Sequence, residues 1–381
     1  MGGRVIFSGG LSMKIICETN SFTNTCLNVQ RSIPAKAVLP HLEGVLIETT
    51  DENTVKLTGF DLDIAVMTTV NVRVEEPGAA VLNAKIFCDM LRRLPEKNVT
   101  ITCNEKNICT ISSGESEYTL ISLNPAEYPE LPVITEEQSF SLNAGILKDM
   151  IKRTVFAVSA DDGKTVHRGV KNEVRSGEIK LVALDGYRLA IRNEFTDYNG
   201  TDLMFVVPAK TLYEIIKLAE NDEDVIEISK GRRHIKFSVN GYCLISKLLE
   251  GEFLDYRSAF PKGKTSTVRV NTKKFMDIIE RTSPVITEKA RSPIKFIFED
   301  DELNLSTFTA LGSFTEKLPV SIDGVRTEIG FNNRFLLDAL RSCDTDEVLI
   351  ELNGSLSPAV IVPPEGESFL YLILPVRIKN D

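Results

Sequence analysis

The feature that most constrains the fold is a pattern that occurs three times along the chain. Segments 81–91, 206–216 and 330–340 each begin as an apolar strand and continue as an amphipathic helix, and they start 125 and then 124 residues apart. Asn or Pro stands at each junction, where helices often begin. A second set of helices, near 18–31, 143–153 and 271–281, recurs at spacings of 125 and 128 residues, measured between Phe22, Leu147 and Phe275. Two sets of helices with nearly the same spacing predict three copies of a single domain.

Between the helices, apolar and polar residues alternate with a period of two, as expected for half-buried strands. Examples are Val99–Cys103, Ile108–Ser112, Val225–Ser229, Ile235–Val239 and Val348–Leu352. So many strands with only two helices per repeat do not fit alternating βαβ units. The pattern predicts an α+β fold in which the helices pack on one side of antiparallel sheets.

Proline-containing stretches at 125–132 and 260–264 mark the expected domain boundaries. We therefore expect three tandem domains, at 13–135, 136–264 and 265–381. Residues 1–12 precede a second Met-Lys start at Met13 and lack the apolar core of a signal peptide. We interpret them as an upstream extension or an expression remnant. No window approaches the ~18 consecutive apolar residues that a membrane span needs.

The chain has seven cysteines, and none are spaced by the two residues typical of zinc and redox sites. Most lie in apolar runs, where an unpaired Cys behaves as a small hydrophobe. This distribution predicts free thiols in a reducing cytoplasm. The sequence carries no signature of a metal or another cofactor.

The net charge of −10 argues against a polyanionic partner until its distribution is considered. The six helix windows together carry +7, so the rest of the chain carries −17. The helices that follow the repeated strands are basic, acidic and basic at positions i, i+4 and i+7, which predicts one exposed stripe on each. These sets are Lys85, Asp89, Arg92; Lys210, Glu214, Lys217; and Arg334, Asp338, Arg341. The stripes predict a positive surface that contacts phosphates without reading bases.

The catalytic motifs in the sequence are incomplete. The string Asp162–Thr165 is similar to the end of a phosphate-binding loop, but Val158 stands where that motif needs Gly. Asp61 and Asp63 could share a strand face as metal ligands, yet a solvated turn is the favoured interpretation because no third ligand accompanies them. No Gly-x-Ser-x-Gly elbow is present, and the histidines are far apart in sequence, at His41, His167 and His234.

Four strings of residues carry a resemblance to a known family. They are Leu57–Asp63 (LTGFDLD), Ala183–Ala190 (ALDGYRLA), Lys247–Arg257 (KLLEGEFLDYR) and Leu374–Ile378 (LPVRI). Together, and in collinear order from Met13 to Ile378, they resemble the β subunits of bacterial DNA polymerase III, the sliding clamps. The resemblance implies three DNA-clamp domains per chain and a head-to-tail dimer that forms a six-domain ring. It also implies a processivity factor that encircles duplex DNA, and not an enzyme.

By the same resemblance, the protein partners are polymerases, the clamp loader and repair proteins. The family's DNA-facing residues match Lys36 and Arg92. Position on the helices adds Lys85, Lys148, Lys152, Lys210, Lys217, Lys274, Arg334 and Arg341.

The family's pocket for short partner peptides lies between the second and third domains, and such a pocket needs apolar walls with a few polar groups at its rim. The matching positions are His167, Leu184, Gly186, Tyr187, Arg188, Leu189, Leu254, Ala259, Leu356, Pro358, Leu372, Leu374, Pro375, Val376 and Arg377. Two positions depart from the family pattern: His167 replaces a usual leucine, and Leu254 replaces a usual proline. His167 as a pocket wall predicts a more polar subsite. The segment Leu374–Ile378 is also expected to be a final edge strand.

Ring closure pairs two different edges, one from each end of the chain. The resemblance implies Tyr118 and Leu120 on the first domain, and Val285 and Ile286 on the third. Two other functions stay open at this point. A metal-dependent α+β enzyme acting on phosphorylated substrates would use Asp61, Asp63, Asp161 and Asp162, although these lie in two different repeats. A scaffold protein that encloses no DNA is the other alternative.

Overall fold

A computed structural model describes residues 12–135, 138–161, 163, 165–286 and 293–378. The chain divides into two compact units, Met1–Ala144 with Tyr213–Leu248, and Gly145–Leu212 with Leu249–Asp381. The extension expected at 1–12 lies outside the described residues, apart from Ser12. No helix in the described ranges is long and apolar enough to cross a membrane.

The described residues form six α-helices and many short strands. The helices are α1 Thr19–Gln30, α2 Ala84–Leu91, α3 Ala144–Lys152, α4 Ala209–Leu218, α5 Thr272–Glu280 and α6 Asn333–Arg341. The strands are β1 Met13–Glu18, β2 Gly44–Thr49, β3 Thr54–Phe60, β4 Ile64–Asn71, β5 Arg73–Glu76, β6 Ala79–Asn83, β7 Asn98–Cys103, β8 Ile108–Ser113, β9 Ser116–Ile121, β10 Gln138–Asn143, β11 Gly169–Arg175, β12 Glu178–Leu184, β13 Arg188–Phe195, β14 Leu203–Pro208, β15 Val225–Lys230, β16 His234–Val239, β17 Tyr242–Lys247, β18 Ser266–Asn271, β19 Ile294–Glu299, β20 Glu302–Thr309, β21 Gly312–Pro319, β22 Ser321–Gly324, β23 Thr327–Phe331, β24 Glu347–Leu352, β25 Ala359–Val362 and β26 Phe369–Ile373.

Each helix follows the end of a strand, as the repeat predicts. The side chains of Asn83, Asn271 and Asn332 accept hydrogen bonds from backbone N–H groups in the first turns of α2, α5 and α6. These bonds satisfy donors that the helix itself leaves unpaired. Phe22, Leu147 and Phe275 are all buried, so the predicted equivalence of the first helix in each repeat is confirmed.

The first unit contains two sheets, and every strand pair in both is antiparallel. One has the strand order β5-β1-β7-β8-β9, and the other β10-β15-β16-β17-β4-β3-β2-β6. The pairing of β17 with β4, from Tyr242 opposite Thr68 to Ser246 opposite Ile64, joins strands of the second and first repeats. The sheet is therefore continuous between repeats.

The second unit repeats this arrangement. Its larger sheet has the order β14-β11-β12-β13-β26-β25-β24-β18-β22, and its smaller sheet β21-β20-β19-β23. Here β13 of the second repeat pairs with β26 of the third, from Arg188 opposite Ile373 to Arg192 opposite Phe369. The predicted α+β class with antiparallel sheets is confirmed, while the predicted domain boundaries stay a prediction.

One backbone hydrogen bond recurs in all three repeats. The residues Val81, Val206 and Gly330 each stand three positions before a helix begins. Their carbonyl oxygens accept hydrogen bonds from the N–H groups of Leu123, Leu249 and Val376, at 3.0, 3.0 and 2.8 Å. In each repeat, the chain that follows the last strand therefore crosses the strand that leads into the second helix, and it does so at an equivalent residue. In the first two repeats it then continues to the next repeat.

The prediction that all cysteines are free is wrong for Cys103 and Cys109, which form a disulfide. The two residues stand directly opposite each other on β7 and β8, with their Cα atoms 4.0 Å apart. Sequence spacing missed the pair because a hairpin, and not a short motif, brings the thiols together. Cys17, Cys26, Cys88, Cys243 and Cys343 are free.

Thiol titration tests this pairing. Unfolded chain that was purified without reductant should show five reactive thiols, and seven after reduction. The matched control is Cys103→Ser, which should give the same count with and without reduction. Seven thiols before reduction would contradict the bond.

Candidate functional site

Four chain segments that carry most of the predicted pocket residues leave the same end of the nine-stranded sheet. Leu184 pairs with Leu189, Arg188 with Ile373, and Ile373 with Ala359. Because these strands are in register, the chain just beyond each pair lies at one end of the sheet. The segments are 165–168 before β11, 185–187 between β12 and β13, 353–358 before β25, and 374–378 after β26.

The leucines beneath these segments are covered. Leu184, Leu189 and Leu372 are buried in one apolar cluster with Tyr256 and Val360. Phe253 and Phe260 pack against this cluster, so the chain between β17 and β18 covers this face of the sheet. These leucines therefore form the buried floor of the predicted pocket. Its exposed walls come from the four loop segments.

The turn 185–188 presents an aromatic ring. The carboxylate of Asp185 accepts hydrogen bonds from the N–H groups of Tyr187 and Arg188, at 2.9 and 3.1 Å. Gly186 has a φ of +91°, a conformation that glycine adopts without strain. The Tyr187 side chain is 63% exposed, and its ring stacks on Phe335 of α6 with centroids 6.0 Å apart.

Arg188, one of the predicted pocket residues, is turned inward. Its guanidinium donates to Asp185 at 3.0 Å, to Asp338 at 2.5 Å and to the carbonyl oxygen of Phe156 at 2.7 Å. The ring of Phe335 lies 4.6 Å from the guanidinium carbon. The side chain is only 9% exposed, so Arg188 fastens the turn to α6 and presents little of itself to a ligand.

The segment Leu374–Ile378, which we call the C-terminal segment, is not the edge strand that the sequence predicts. The last strand, β26, lies inside the sheet between β13 and β25. Beyond it, the N–H of Leu374 donates to the carbonyl oxygen of Tyr187 at 2.9 Å. Leu374 and Val376 are each 37% exposed. The segment therefore lies beside the turn as a half-exposed wall.

His167 and Leu254, the two departures from the family pattern, are in contact. The N–H of Leu254 donates to Nε2 of His167 at 3.4 Å. The imidazole also packs edge-on against the ring of Phe253, with centroids 5.1 Å apart. Leu254, Ala259 and Leu356 are exposed.

The chain between β17 and β18 is fastened by a buried carboxylate. Glu173 accepts from the hydroxyl of Tyr256 and from Arg257, both at 3.2 Å, and pairs with Lys171 at 2.8 Å. Burial opposes ionisation, but the bonds from Lys171, Arg257 and Tyr256 hold the pKa of Glu173 below its usual value. The carboxylate is thus charged where it holds this covering segment.

A separate cavity of about 310 Å³ lies on the same unit, and it contains none of the predicted pocket residues. Its lining is Phe260, Pro261, Lys262, Gly263, Lys264, Glu351, Leu352, Val360 and Leu370. Lys264 and Glu351 form an ion pair of 2.6 Å in this lining. The predicted pocket is instead an open surface between loops.

The predicted DNA-facing cations are mostly exposed. Only Lys148 of that set is half-buried. Three of them pair with carboxylates: Arg92 with Asp89 at 3.6 Å, Lys217 with Glu214 at 2.9 Å, and Arg341 with Glu280 at 2.7 Å. In the described part of the chain, no ion pair involves Lys36, Lys85, Lys152, Lys274 or Arg334.

The acidic members of the predicted stripes are less exposed than expected. Glu214 is buried, and Asp338 pairs with Arg188 instead of with a cation of its own stripe. Asp89 and Glu214 each pair with the last cation of their own stripe, Arg92 and Lys217. The basic residues at i and i+7 keep the solvent-exposed positions.

Two sheet edges carry the predicted ring contacts. Tyr118 and Leu120 are half-buried on β9, which ends the five-stranded sheet. Val285 and Ile286 are half-buried before β19, where the hydroxyl of Thr309 on β20 donates to the carbonyl oxygen of Val285 at 2.8 Å. Sequence reasoning missed two exposed neighbours, Ile121 on β9 and Phe308 on β20, at 79% and 77% exposure. Their outward positions in alternating strands were a usable signal.

The aspartates proposed for a metal-dependent enzyme do not form a site. Asp61 accepts from the N–H groups of Asp63 and Ile64, at 3.0 and 2.7 Å, which makes the predicted turn. Asp161 is exposed, and Asp162 lies outside the described residues. Within the described ranges, no three His, Cys, Asp or Glu side chains group as metal ligands.

Comparison with known proteins identifies the class. Family models for the N-terminal, central and C-terminal domains of the DNA polymerase III beta subunit match residues 13–132, 141–255 and 257–377. A beta sliding clamp of Halalkalibacterium halodurans is 31% identical over 96% of this chain and 100% of its own length. One from Staphylococcus epidermidis is 30% identical over 96% of this chain and 99% of its own length.

Solved structures agree with the sequence comparison. The DNA polymerase sliding clamp of Bacillus subtilis superposes with a TM-score of 0.93, at 28% identity over 96% of this chain and 100% of that one. A sliding clamp of Pseudomonas aeruginosa bound to griselimycin gives a TM-score of 0.90, at 26% identity over 97% of this chain and 100% of that one. The fold and its three repeats therefore define a DNA-clamp protein.

The chain belongs to the family of bacterial DNA polymerase III beta subunits, the beta sliding clamps. It is a processivity factor, an accessory subunit of the replicative polymerase and not an enzyme. The enzyme alternative receives no support from these relatives.

Proposed function

We propose that two copies of this chain close head to tail into a ring around duplex DNA, with domains at 13–135, 136–264 and 265–381. The ring tethers polymerases, the clamp loader and repair proteins through the loops at one end of the nine-stranded sheet. The observation that carries the proposal is the consecutive match of three clamp domains from residue 13 to residue 377. The site of action is the cytoplasm, where a bacterial chromosome lies.

The DNA contacts are made by the exposed helix cations and Lys36, and they are weak individually. Carboxylates already hold Arg92, Lys217 and Arg341. A phosphate must compete with the carboxylate for each of these cations, so the contact exchanges readily. Exposed pairs of this kind are worth about 0–1 kcal/mol, which suits a ring that slides.

Single substitutions test the phosphate contacts. Lys36→Ala or Lys274→Ala should lower the magnitude of the slope of log affinity against log salt by roughly 0.9, equally for duplexes of different sequence. Fluorescence anisotropy with two short duplexes measures this slope. The control is Lys106→Ala in the turn between β7 and β8, which should leave the slope unchanged. A loss of affinity for one sequence only would contradict backbone contact.

Ring closure uses the edge strand β9 of one copy and the edge around β21 of the other. Both strands end their sheets, so each offers backbone N–H and C=O groups to a further strand. Exposed apolar side chains lie near both edges, with Ile121 on β9 and Phe308 and Leu311 beside β21. Two different edges on one chain make a heterologous contact, which closes when the rotation permits.

An interface substitution tests this closure. Ile286→Asp should give folded monomers that do not stay on circular DNA, because a buried unpaired charge is costly. Light scattering after gel filtration at nanomolar concentration measures the mass. Phe195→Asp, at an exposed apolar position on β13, is the matched control and should remain dimeric. A dimeric Ile286→Asp protein would place the interface elsewhere.

The peptide pocket gathers exposed apolar side chains from several loops. Tyr187, Leu356, Leu374 and Val376 are exposed at the same end of the nine-stranded sheet, above the buried leucine floor. A peptide interface is small, so a few of these anchors should dominate the affinity.

Removing two exposed anchors tests the pocket without disturbing the core. Tyr187→Ala combined with Val376→Ala should raise the Kd for a fluorescein-labelled peptide from a bacterial replicative polymerase by roughly tenfold or more. Met204→Ala, an exposed residue at the other end of the same sheet, should not change the Kd. An unchanged Kd in the double variant would show that partners dock elsewhere.

A further inference from the structure

The C-terminal segment is anchored to its neighbours by backbone hydrogen bonds. Two backbone hydrogen bonds anchor its first half, from Leu374 to Tyr187 at 2.9 Å and from Val376 to Gly330 at 2.8 Å. The second bond is the third copy of the crossing bond that recurs in every repeat. The position of the segment therefore depends on the strand that it crosses, β23.

At the crossing point, the segment lies against a glycine. A Cβ atom added to Gly330 would lie 2.6 Å from the carbonyl oxygen of Val376 and 2.8 Å from Cγ1 of Ile378. Real Cβ atoms essentially never approach other atoms within 3.0 Å. The φ of Gly330 is outside the left-handed region, so the backbone conformation does not require glycine. Close approach of the segment is the reason for glycine here.

The other repeats provide an internal comparison. The equivalent positions are the buried valines Val81 and Val206, and both accept the same crossing bond. In those repeats the crossing chain continues as a linker to the next domain. The third repeat alone has a glycine at the crossing. Without a side chain at Gly330, the carbonyl oxygen of Val376 and the side chain of Ile378 lie where a Cβ would otherwise be.

We propose that Gly330 is a positioning residue for partner binding, which seats the C-terminal segment against β23 so that Leu374 and Val376 form one wall of the peptide pocket. The inference rests on the proposed pocket. Gly330 lies on the strand that leads into α6, and α6 holds the neighbouring wall, the turn at 185–188, through Phe335 and Asp338. Both walls are therefore fixed to one strand–helix pair.

Gly330→Ala and Gly330→Val test the proposal, the second because it installs the residue of the other two repeats. Hydrogen exchange at 374–378 should accelerate in both variants, and the Kd for the labelled polymerase peptide should rise by roughly tenfold. The matched control is Gly59→Ala, where a Cβ would lie 2.7 Å from the carbonyl oxygen of Val29 in the other unit. That variant should lose stability while its folded fraction keeps both the exchange rate at 374–378 and the Kd.

A double variant separates positioning from general destabilisation. If Gly330 acts through the segment, Val376→Ala should weaken binding in the parent chain but add little to Gly330→Val. Additive losses would overturn the inference, as would unchanged exchange at 374–378 in both Gly330 variants. Faster exchange with an unchanged Kd would confirm that Gly330 positions the segment but would overturn its role in binding. The pocket itself is tested separately by the Tyr187→Ala, Val376→Ala variant, so the two failures are distinguishable.

Discussion

Backbone pairing between β13 and β26 is the interaction on which the second unit and its candidate pocket depend. A one-residue slip would turn every side chain of β26 to the opposite face and move the C-terminal segment away from the turn at 185–187. Side chains reinforce the pairing. Arg192 on β13 is buried and contacts Asp149 and Asp344, at 3.1 and 2.9 Å. Burial disfavours its charge, but the neighbouring carboxylates, with Asp344 first, raise the pKa of Arg192 and keep it ionised.

The same constraint explains why the repeats are not independent bodies. Strand pairing continues from one repeat to the next at β17 with β4 and at β13 with β26. The linkers that follow the crossing bonds then cover the apolar faces, with Tyr128 buried in the first unit and Tyr256 in the second. The linkers between repeats are therefore part of the apolar core. Their proline and charged residues do not make them flexible, because their tyrosines are buried.

The strands and helices could be predicted from the sequence because they depend on local periodicity. Alternating residues in segments such as 235–239 and the helical spacing of Phe22, Leu147 and Phe275 are short-range signals, and both elements are present. Strand register is a long-range property that no local pattern encodes. For that reason the sequence did not reveal the joined sheets, the Cys103–Cys109 bond or the pairing of Asp338 with Arg188. It predicted which residues form the pocket but could not say which of them lie beneath the surface.

The two departures from the family pattern illustrate the same limit. His167 and Leu254 are 87 residues apart, and in sequence each looks like an isolated change. In the structure they meet, because the N–H of Leu254 donates to Nε2 of His167. The proline that is usual at 254 has no N–H to donate, and the leucine that is usual at 167 has no atom to accept it. The residue at 254 supplies the N–H donor, and the residue at 167 supplies the acceptor nitrogen. The polar character that His167 brings to the pocket is therefore partly used within the protein, to hold the chain before Tyr256 in place.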